Sequence, residues 1–172
     1  ISGVARDLAA SLGLPFKFPM DLNGNPQVTL DAGIQIEIED PTLCGRFLAC
    51  VVKGITVGPS PQWLQNRLIH LGMRPINNVV DISNYVMLEL GQPNHTYDLH
   101  KIKGSRLGTR RAKVGERLLT LDGLERTLSE IDGVIVDGDD NPVGIAGLMG
   151  GASSEISEST TEIIIDVAWW DP

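Results

Sequence analysis

The 172-residue chain contains few aromatic residues, few cysteines and no long hydrophobic run. Aromatic side chains make up 5% of it, so we do not expect base-stacking platforms to be its main working surface. Its two cysteines, Cys44 and Cys50, exclude a disulfide scaffold. No apolar run approaches the roughly 20 residues that a membrane-spanning helix needs. The remaining composition, 42% hydrophobic and 21% charged, predicts a globular domain with its own core.

Cations are also few, and they are distributed unevenly along the chain. Fourteen Lys and Arg stand against 22 Asp and Glu, and the net charge of −8 argues against general nucleic-acid binding. One stretch without any acidic residue nevertheless contains six of the cations, which are Lys101, Lys103, Arg106, Arg110, Arg111 and Lys113. Two interpretations of this basic stretch stay open: a solvated strand face with a basic turn, or a local contact to a polyanion.

Hydrophobic spacing and turn residues predict helices early in the chain and strands later. The predicted helices cover 3–13, 61–72 and 79–90, the second capped by Ser60 and the third by Asn78, with Ile82, Val86 and Leu90 as the core stripe of the third. The predicted strands cover 34–38, 47–55, 106–112 and 162–168, with hairpins over 118–128 and 134–146. We take 47–55 as a central strand with Cys50 in the core. The order of elements predicts an α+β fold with a mixed or antiparallel sheet.

The first 40 residues differ in composition from the rest of the chain. Four prolines fall between positions 15 and 41, and Asn23-Gly24-Asn25 predicts a turn within that segment. We therefore predict that residues 1–40 connect a preceding domain to a folded domain over 41–172. The chain opens on Ile1 and stops at Pro172 without a polar tail. We expect it to be an excised part of a longer cytoplasmic protein.

Three kinds of site are tested by spacing and rejected. Asp137, Asp139 and Asn141 match the start of a calcium loop, but its sixth and twelfth positions hold Pro142 and Leu148. A hairpin turn is the better interpretation of that segment. The group His95, Asp98 and His100 has no cysteine or glutamate at ligand spacing, so we predict no metal site. A nucleophile elbow of the form G-x-S-x-G is absent.

The segment 77–101 and a glycine-rich stretch carry the remaining polar signals. Ser83 and Asn84 lie inside a predicted helix, where they either face solvent or project into a cleft. His95 follows that helix on a predicted turn, where a neutral imidazole can accept or relay a proton. The glycine-rich stretch 144–151 is not a phosphate-binding loop, since no amphipathic helix follows it. It is either a tight strand end or a pocket wall that presents bare backbone to a small ligand.

Four long motifs resemble the editing module of the β subunit of bacterial phenylalanyl-tRNA synthetase. They read GMRPINNVVDISNYVMLELGQPNHTYDLHKI at 72–102, VGERLLTLDG at 114–123, GIAGLMGGASSEI at 144–156 and EIIIDVAWWDP at 162–172. The resemblance covers roughly 45–172, and residues 1–14 resemble the helix that leads into this module. It implies a layered α+β fold in which an irregular β arrangement is backed by helices.

The resemblance also implies a function and partners. The parent would be an α2β2 ligase that charges tRNA(Phe) with phenylalanine, so the α subunit and tRNA(Phe) are the expected partners. ATP and Mg²⁺ would belong to the synthetic site of the α subunit, and no cofactor is expected in this domain. The module would hydrolyse mischarged Tyr-tRNA(Phe), with tyrosine as its editing ligand. Such a second sieve is useful because a pocket shaped for phenylalanine rejects an added hydroxyl only weakly.

Residue roles follow from the same resemblance. His95 and Asn84 would position the ester and the attacking water, although the terminal hydroxyl of the tRNA could assist as the base. Ser83, Ala146, Gly147 and Asp166 would bind the substrate, with Asp166 accepting the phenol hydroxyl. Ser83 stands where relatives commonly have Thr, and Asp166 where they commonly have Glu. Arg74 and the basic stretch would guide the tRNA 3′ end. The alternative interpretation is a non-catalytic scaffold of the same subunit that contacts tRNA.

Overall fold

Three α-helices and ten β-strands are described in residues 1–18 and 33–171 of a computed structural model. The helices are α1 (Ser2–Leu12), α2 (Gln62–His70) and α3 (Asn78–Leu90). The strands are β1 (Gln35–Ile38), β2 (Cys44–Lys53), β3 (His95–Asp98), β4 (Arg106–Arg111), β5 (Arg117–Leu119), β6 (Glu125–Thr127), β7 (Gly133–Val136), β8 (Pro142–Ile145), β9 (Met149–Gly150) and β10 (Glu162–Trp170). None of the described helices is long and apolar enough to cross a membrane. The turn predicted at 23–25 lies outside the described residues.

The strands form three sheets, which confirms the predicted α+β class. A five-stranded sheet has the order β1-β4-β7-β8-β9, in which only β1 and β4 are parallel. A three-stranded antiparallel sheet has the order β2-β10-β3, and β5 pairs with β6 in a separate hairpin. The main core joins the two larger sheets through Tyr97, Leu107, Ile135 and Ile164. Strand β1 belongs to the five-stranded sheet even though it falls within the predicted connecting segment.

The predicted central strand is an edge strand, and this correction moves Cys50 out of the core. In the three-stranded sheet β10 is central and pairs with β2 along its whole length. One face of β2 is covered and the other is open. A register shift against β10 at Trp169/Trp170 interrupts the alternation along β2, so Cys44 is buried while Cys50, six residues on, is exposed. Hydrophobic residues on both faces of β2 gave the sequence pattern of a fully covered strand.

Helix α3 has the predicted ends but buries a different face from the predicted one. The Asn77 side chain caps it by accepting from the Val80 amide, and Gly91 ends it in a left-handed conformation with φ 79°. The cap is thus Asn77 instead of Asn78. Ile82, expected in the core stripe, is 54% exposed, whereas Val79 and Asp81 are buried. The face of α3 that packs inward is set by a buried carboxylate.

That carboxylate belongs to Asp81 and ties α3 to the residues that precede α2. The Ser60 hydroxyl donates to Oδ2 of Asp81 at 2.5 Å, and the Ile76 amide donates to Oδ1 at 2.8 Å. Ser60 therefore does not cap α2, whose N-cap is Pro61. Both partners satisfy carboxyl oxygens that would be costly to bury without hydrogen bonds. These two hydrogen bonds fix the start of α3. The other end of α3 leads into β3.

Strand β3 was not predicted, because its four residues follow directly on Gly91 and Pro93 and were interpreted as a turn. It pairs antiparallel with β10, and His95 lies opposite Asp166 in the register. Side chains two apart on a strand point to the same face. His95 and Tyr97 therefore lie on the same face of the sheet as Asp166.

Candidate active site

A cavity of about 370 Å³ lies where β3 and β10 meet the β8–β9 hairpin. Its volume falls in the range of about 300–1,000 Å³ that is typical of small-molecule sites. The residues that line it are Met87, Pro93, Asn94, His95, Tyr97, Ile135, Gly144, Ile145, Gly147, Leu148, Met149, Gly150, Asp166, Ala168 and Trp170. The lining is mostly apolar, and its ionisable side chains are confined to β3 and β10. This is the arrangement expected of a site that binds an apolar ligand with a few fixed polar contacts.

Asp166 is the buried acid of this cavity and is 4% exposed. Its Oδ1 accepts a hydrogen bond from the His95 amide at 2.9 Å, and its Oδ2 accepts one from the Tyr97 hydroxyl at 2.8 Å. Burial raises the pKa of Asp166 to about 6, while these two hydrogen bonds act in the opposite direction. The carboxyl is thus ionised at pH 7.5 and titrates just below neutral pH.

His95 contributes an imidazole with no hydrogen-bond partner for its ring among the described residues. The ring packs edge-on against Tyr97, with 4.6 Å between the ring centroids. Burial lowers the pKa of His95 to about 4, so the imidazole is neutral at physiological pH. A neutral imidazole with free ring nitrogens can accept a proton from a water molecule or hold that water by a hydrogen bond.

The glycine-rich stretch is a tight strand end and also a wall of this cavity, so the structure agrees with both interpretations of it. Gly144, Gly147 and Gly150 line the cavity from the β8–β9 hairpin. A Cβ built on Gly150 would lie 2.3 Å from Nε2 of His95. Gly147 has φ 66° and packs against the indole of Trp170. A side chain at position 150 would clash with the imidazole, and one at position 147 would be strained by the positive φ and crowded by the indole at 3.2 Å.

The structure brings together three of the predicted site residues, His95, Asp166 and Gly147. Ser83 does not line the cavity; its hydroxyl donates to Oδ1 of Asn94 at 2.6 Å, and Asn94 does line it. Ser83 therefore contacts a residue of the cavity wall, and its predicted role in binding the substrate stays a prediction.

Two further predicted site residues lie beside the cavity instead of in its wall. Asn84 is not among the lining residues, but it lies on α3 one turn before the lining residue Met87 and on the same side of the helix. Its predicted catalytic role stays a prediction. Ala146 also lies outside the lining, and its amide donates to the Gly133 carbonyl. Its predicted contact with substrate stays a prediction.

Sequence reasoning missed two polar lining residues, Tyr97 and Asn94. Tyr97 could have been found from its spacing, because residues 95 and 97 share a face once β3 is recognised as a strand. The Ser83–Asn94 contact joins residues 11 positions apart across the end of α3, and no periodicity indicates it. The close approach of Gly150 to His95 depends on tertiary packing and leaves no signal in the sequence.

Comparison with known proteins identifies the family of this fold. A family model described as the B3/4 domain matches residues 43–172. The chain belongs to the B3/4 domain family. It is 43% identical over its whole length to the phenylalanine–tRNA ligase β subunit of Carboxydothermus hydrogenoformans, and 48% identical over 98% of its length to that of Symbiobacterium thermophilum. It spans 21% and 19% of those two relatives, about a fifth of their length.

A solved structure shares the fold of this B3/4 domain at low sequence identity. It is an N-terminal fragment of the phenylalanyl-tRNA synthetase β subunit from Pyrococcus horikoshii, with a TM-score of 0.59 and 16% identity. The match covers 99% of this chain and 51% of that one. The family match begins at residue 43, close to the start of the predicted domain at 41, and the division itself stays a prediction.

The basic stretch of the B3/4 domain is largely neutralised by its own acidic residues. Arg110 is 5% exposed; it makes two hydrogen bonds to Glu116 at 2.8 and 2.9 Å and one to Asp140 at 2.7 Å. The other internally bonded cations are Arg106 with Glu37, Arg111 with Asp40, Lys113 with Asp140 and Lys101 with the Glu155 carbonyl. Arg110 is therefore corrected to a structural cation.

Two of the predicted tRNA-contacting cations remain available at the surface. Lys103 and Arg74 are exposed, and neither makes an ion pair within the described ranges 1–18 and 33–171. Their side chains can reach an external anion without breaking an internal contact. Of the predicted tRNA-contacting cations, Lys103 and Arg74 are therefore the best candidates for that contact.

We expect Asp166→Asn to remove a pH dependence from the stability of the B3/4 domain. Because the pKa of Asp166 is raised from 3.8 to about 6, the folded state holds a proton that the unfolded state releases. The stability that protonation provides is complete below pH 3.8 and is lost as pH rises through about 6. A shift of this size corresponds to about 3 kcal/mol at most. The mutant should therefore gain stability relative to wild type by up to that amount between pH 4 and 8, measured by urea unfolding.

Proposed function

We propose that this B3/4 domain is an editing module that hydrolyses Tyr-tRNA(Phe) as part of a phenylalanine–tRNA ligase β subunit. The observation that carries the proposal is that one cavity of amino-acid size holds a buried carboxylate and a neutral imidazole whose ring has no hydrogen-bond partner within residues 1–18 and 33–171. The names of the relatives support the assignment to the ligase, and the cavity supports the hydrolytic role. The fold alone would support neither activity.

Selection of tyrosine would rest on Asp166. A carboxylate has two oxygens with about four lone-pair positions, and the two internal donors occupy only two of them. A phenol hydroxyl entering the mostly apolar cavity would find an acceptor in Asp166. A phenyl ring would instead leave the buried carboxylate without a replacement for the water it displaces, which costs about 1–3 kcal/mol or more for a charged group.

The hydrolytic step would place a water molecule between the ester and His95. The water oxygen attacks the carbonyl carbon and forms a tetrahedral intermediate, after which the bond between that carbon and the ribose oxygen breaks. One water proton goes to the ribose oxygen, so the products are tyrosine and free tRNA. His95 would orient the water and transfer the proton in its neutral form, or the neighbouring ribose hydroxyl would carry the proton while His95 only orients. No metal or cofactor takes part in this scheme.

The partners follow from the same proposal. The domain would lie in a β subunit that assembles with an α subunit into an α2β2 enzyme in the cytoplasm, with tRNA(Phe) as the shared substrate. ATP and Mg²⁺ would act only at the synthetic site of the α subunit. The exposed cations Lys103 and Arg74 would contact the tRNA.

The test is deacylation of preformed Tyr-tRNA(Phe) by the full synthetase carrying this domain. We expect the wild type to clear the ester rapidly and His95→Ala and Asp166→Ala each to slow this by about 100-fold or more, the range typical of a lost acid–base or positioning group. Asn84→Ala is the matched comparison, and a smaller effect is expected because Asn84 lies outside the cavity lining. Aminoacylation with phenylalanine should be unchanged in all three variants.

A wild-type rate no faster than spontaneous hydrolysis would contradict this proposal. It would favour the second candidate, a scaffold domain that supports the β subunit and contacts tRNA. One observation favours that candidate: Asp166 already accepts two hydrogen bonds from its own chain, as a purely structural carboxylate does. In that case Lys103→Ala should still weaken tRNA binding while the cavity variants leave it unchanged.

A further inference from the structure

Tyr97 is a fully buried phenol in the wall of the candidate editing cavity. It is 0% exposed, and its hydroxyl donates to Oδ2 of Asp166 at 2.8 Å. Burial and the neighbouring carboxylate raise the pKa of Tyr97 well above its usual value, so this hydroxyl keeps its proton at any working pH. The chain thus places a permanent donor against the carboxyl that would read the substrate.

The geometry leaves Asp166 with acceptor capacity only. Oδ1 receives the His95 amide and Oδ2 receives the Tyr97 hydroxyl, and both donors belong to β3, which pairs with β10 in a fixed register. Two hydrogen bonds to the two oxygens fix the plane of the carboxyl group. The lone pairs that remain are oriented by this fixed plane, and Asp166 itself lines the cavity. A ligand group that meets them must be a donor.

We propose that Tyr97 is a specificity-determining residue of this site, because its hydroxyl holds Asp166 as an ionised, fixed acceptor for the hydroxyl of the amino acid being edited. This inference rests on the proposed editing function and deepens it. Without the Tyr97 donor, the carboxyl would keep a proton at higher pH and could donate instead of accept. A protonated Asp166 tolerates a phenyl ring better and binds a phenol less selectively. Tyr97 is a positioning residue, since it acts through Asp166.

The titratable groups around Asp166 are few, which makes its ionisation simple to interpret. Within the described residues, β3 contributes His95 and Tyr97, and β2 contributes Cys44, whose thiol pKa is raised by burial. His95 is neutral above pH 5 because burial lowers its pKa to about 4. Tyr97 and Cys44 stay neutral at these pH values as well. Among these protein groups only Asp166 titrates between pH 5.5 and 8. The α-amino group of the aminoacyl ester also titrates near the top of this range, at about 7.7–8.0, but it does so with wild type and variant alike. The difference between the wild-type and Tyr97→Phe rate profiles, after the rate without enzyme is subtracted, therefore reports on Asp166.

The test compares Tyr97→Phe with wild type in the full synthetase, over pH 5.5 to 9, using preformed Tyr-tRNA(Phe) and Phe-tRNA(Phe). Tyr85→Phe provides the matched control, because it removes the hydroxyl of the other tyrosine of this chain, on α3. We expect Tyr97→Phe to lower the preference for Tyr-tRNA(Phe) over Phe-tRNA(Phe) about tenfold at pH 7, which corresponds to one hydrogen bond to a charged group. The acid limb of the rate profile should also move to higher pH.

Recovery of Tyr-tRNA(Phe) hydrolysis at high pH would distinguish the proposed role of Tyr97 from a folding defect. If the rate of Tyr-tRNA(Phe) hydrolysis by Tyr97→Phe, measured above the rate without enzyme, returns to the wild-type value at pH 9 and aminoacylation stays complete, the hydroxyl acts through the charge of Asp166. If the preference falls and does not return at pH 9, that role is overturned. If the preference stays within twofold of wild type and the acid limb does not move, the role of Tyr97 is overturned while the editing function stands. If the wild type itself fails to hydrolyse Tyr-tRNA(Phe), the proposed function is wrong, and the inferred role of Tyr97 is wrong as well.

Discussion

Replacing Gly150 with alanine is expected to abolish most of the hydrolytic activity proposed for the cavity while the rest of the domain stays folded. A Cβ at this position would lie 2.3 Å from Nε2 and 2.4 Å from Cε1 of His95, far inside contact distance. Tyr97 already packs against the imidazole, with 4.6 Å between the ring centroids. The imidazole must therefore rotate out of its present position to relieve the clash. A displacement of about 1 Å at a reacting group can cost about 100-fold in rate.

Gly144→Ala is the matched control for this prediction. Gly144 lies on the same hairpin and lines the same cavity, but its Cβ would meet its nearest neighbour at 3.5 Å, an ordinary contact. Deacylation of Tyr-tRNA(Phe) by the full synthetase measures both variants, and a crystal structure of Gly150→Ala locates the ring. Equal activity of the two variants would show that the imidazole position does not control the rate. Unchanged activity with a displaced ring would remove His95 from the mechanism.

Local signals predicted the helices well, because the residues that begin and end a helix act within one or two turns. The Gly91 end of α3 is an example: a glycine in the left-handed conformation satisfies carbonyls only a few residues away. The hairpin at 118–128 likewise depends on Asp122 and Gly123, whose turn chemistry is local. The buried face of α3 was predicted wrongly because it depends on Ser60, which lies 21 residues before Asp81.

The candidate site was predictable only in part, because it is made by pairing across the chain. The motif resemblance pointed to His95 and Asp166, which lie 71 residues apart and meet through the β3–β10 register. No spacing rule indicates that the Tyr97 hydroxyl would bind the same carboxyl. The role of Gly150 is also invisible in sequence, because glycine there serves a side chain 55 positions away. Strand register and side-chain packing, which decide such contacts, are tertiary properties.

Charge patterning left the role of the basic stretch open for a related reason. A run of cations without intervening acids suggested an external anion, but the sheet brings acidic residues from elsewhere against it. Arg110 meets Asp140 because β4 and β7 are paired and the turn after β7 folds back over them. Linear charge density therefore overestimated the positive surface of this domain. The distinction between a structural cation and an RNA-binding one can be measured directly.

Arg110→Met is expected to destabilise the domain by about 3–5 kcal/mol, the usual cost of removing one partner from a buried ion pair. The side chain of Arg110 is 5% exposed and that of Glu116 is 11% exposed, so the mutation leaves a carboxylate largely out of water with no countercharge. The Arg110 guanidinium lowers the pKa of Glu116 below its usual 4.5. Its stabilising contribution is therefore present above pH 4.5 and is lost as pH falls through the lowered value. The difference in the free energy of unfolding between wild type and Arg110→Met should therefore become smaller below pH 4, as measured by urea unfolding.

Lys103→Ala completes this experiment, because Lys103 belongs to the same basic stretch but is exposed and makes no ion pair in the part of the chain that the structure describes. Its stability should match wild type within about 0.5 kcal/mol, as for most surface substitutions. If the domain contacts tRNA, Lys103→Ala should weaken tRNA binding and reduce its salt dependence, since each phosphate contact contributes to the salt slope. A large loss of stability in Lys103→Ala, or none in Arg110→Met, would contradict the division of this stretch into a buried structural cation and a free surface cation.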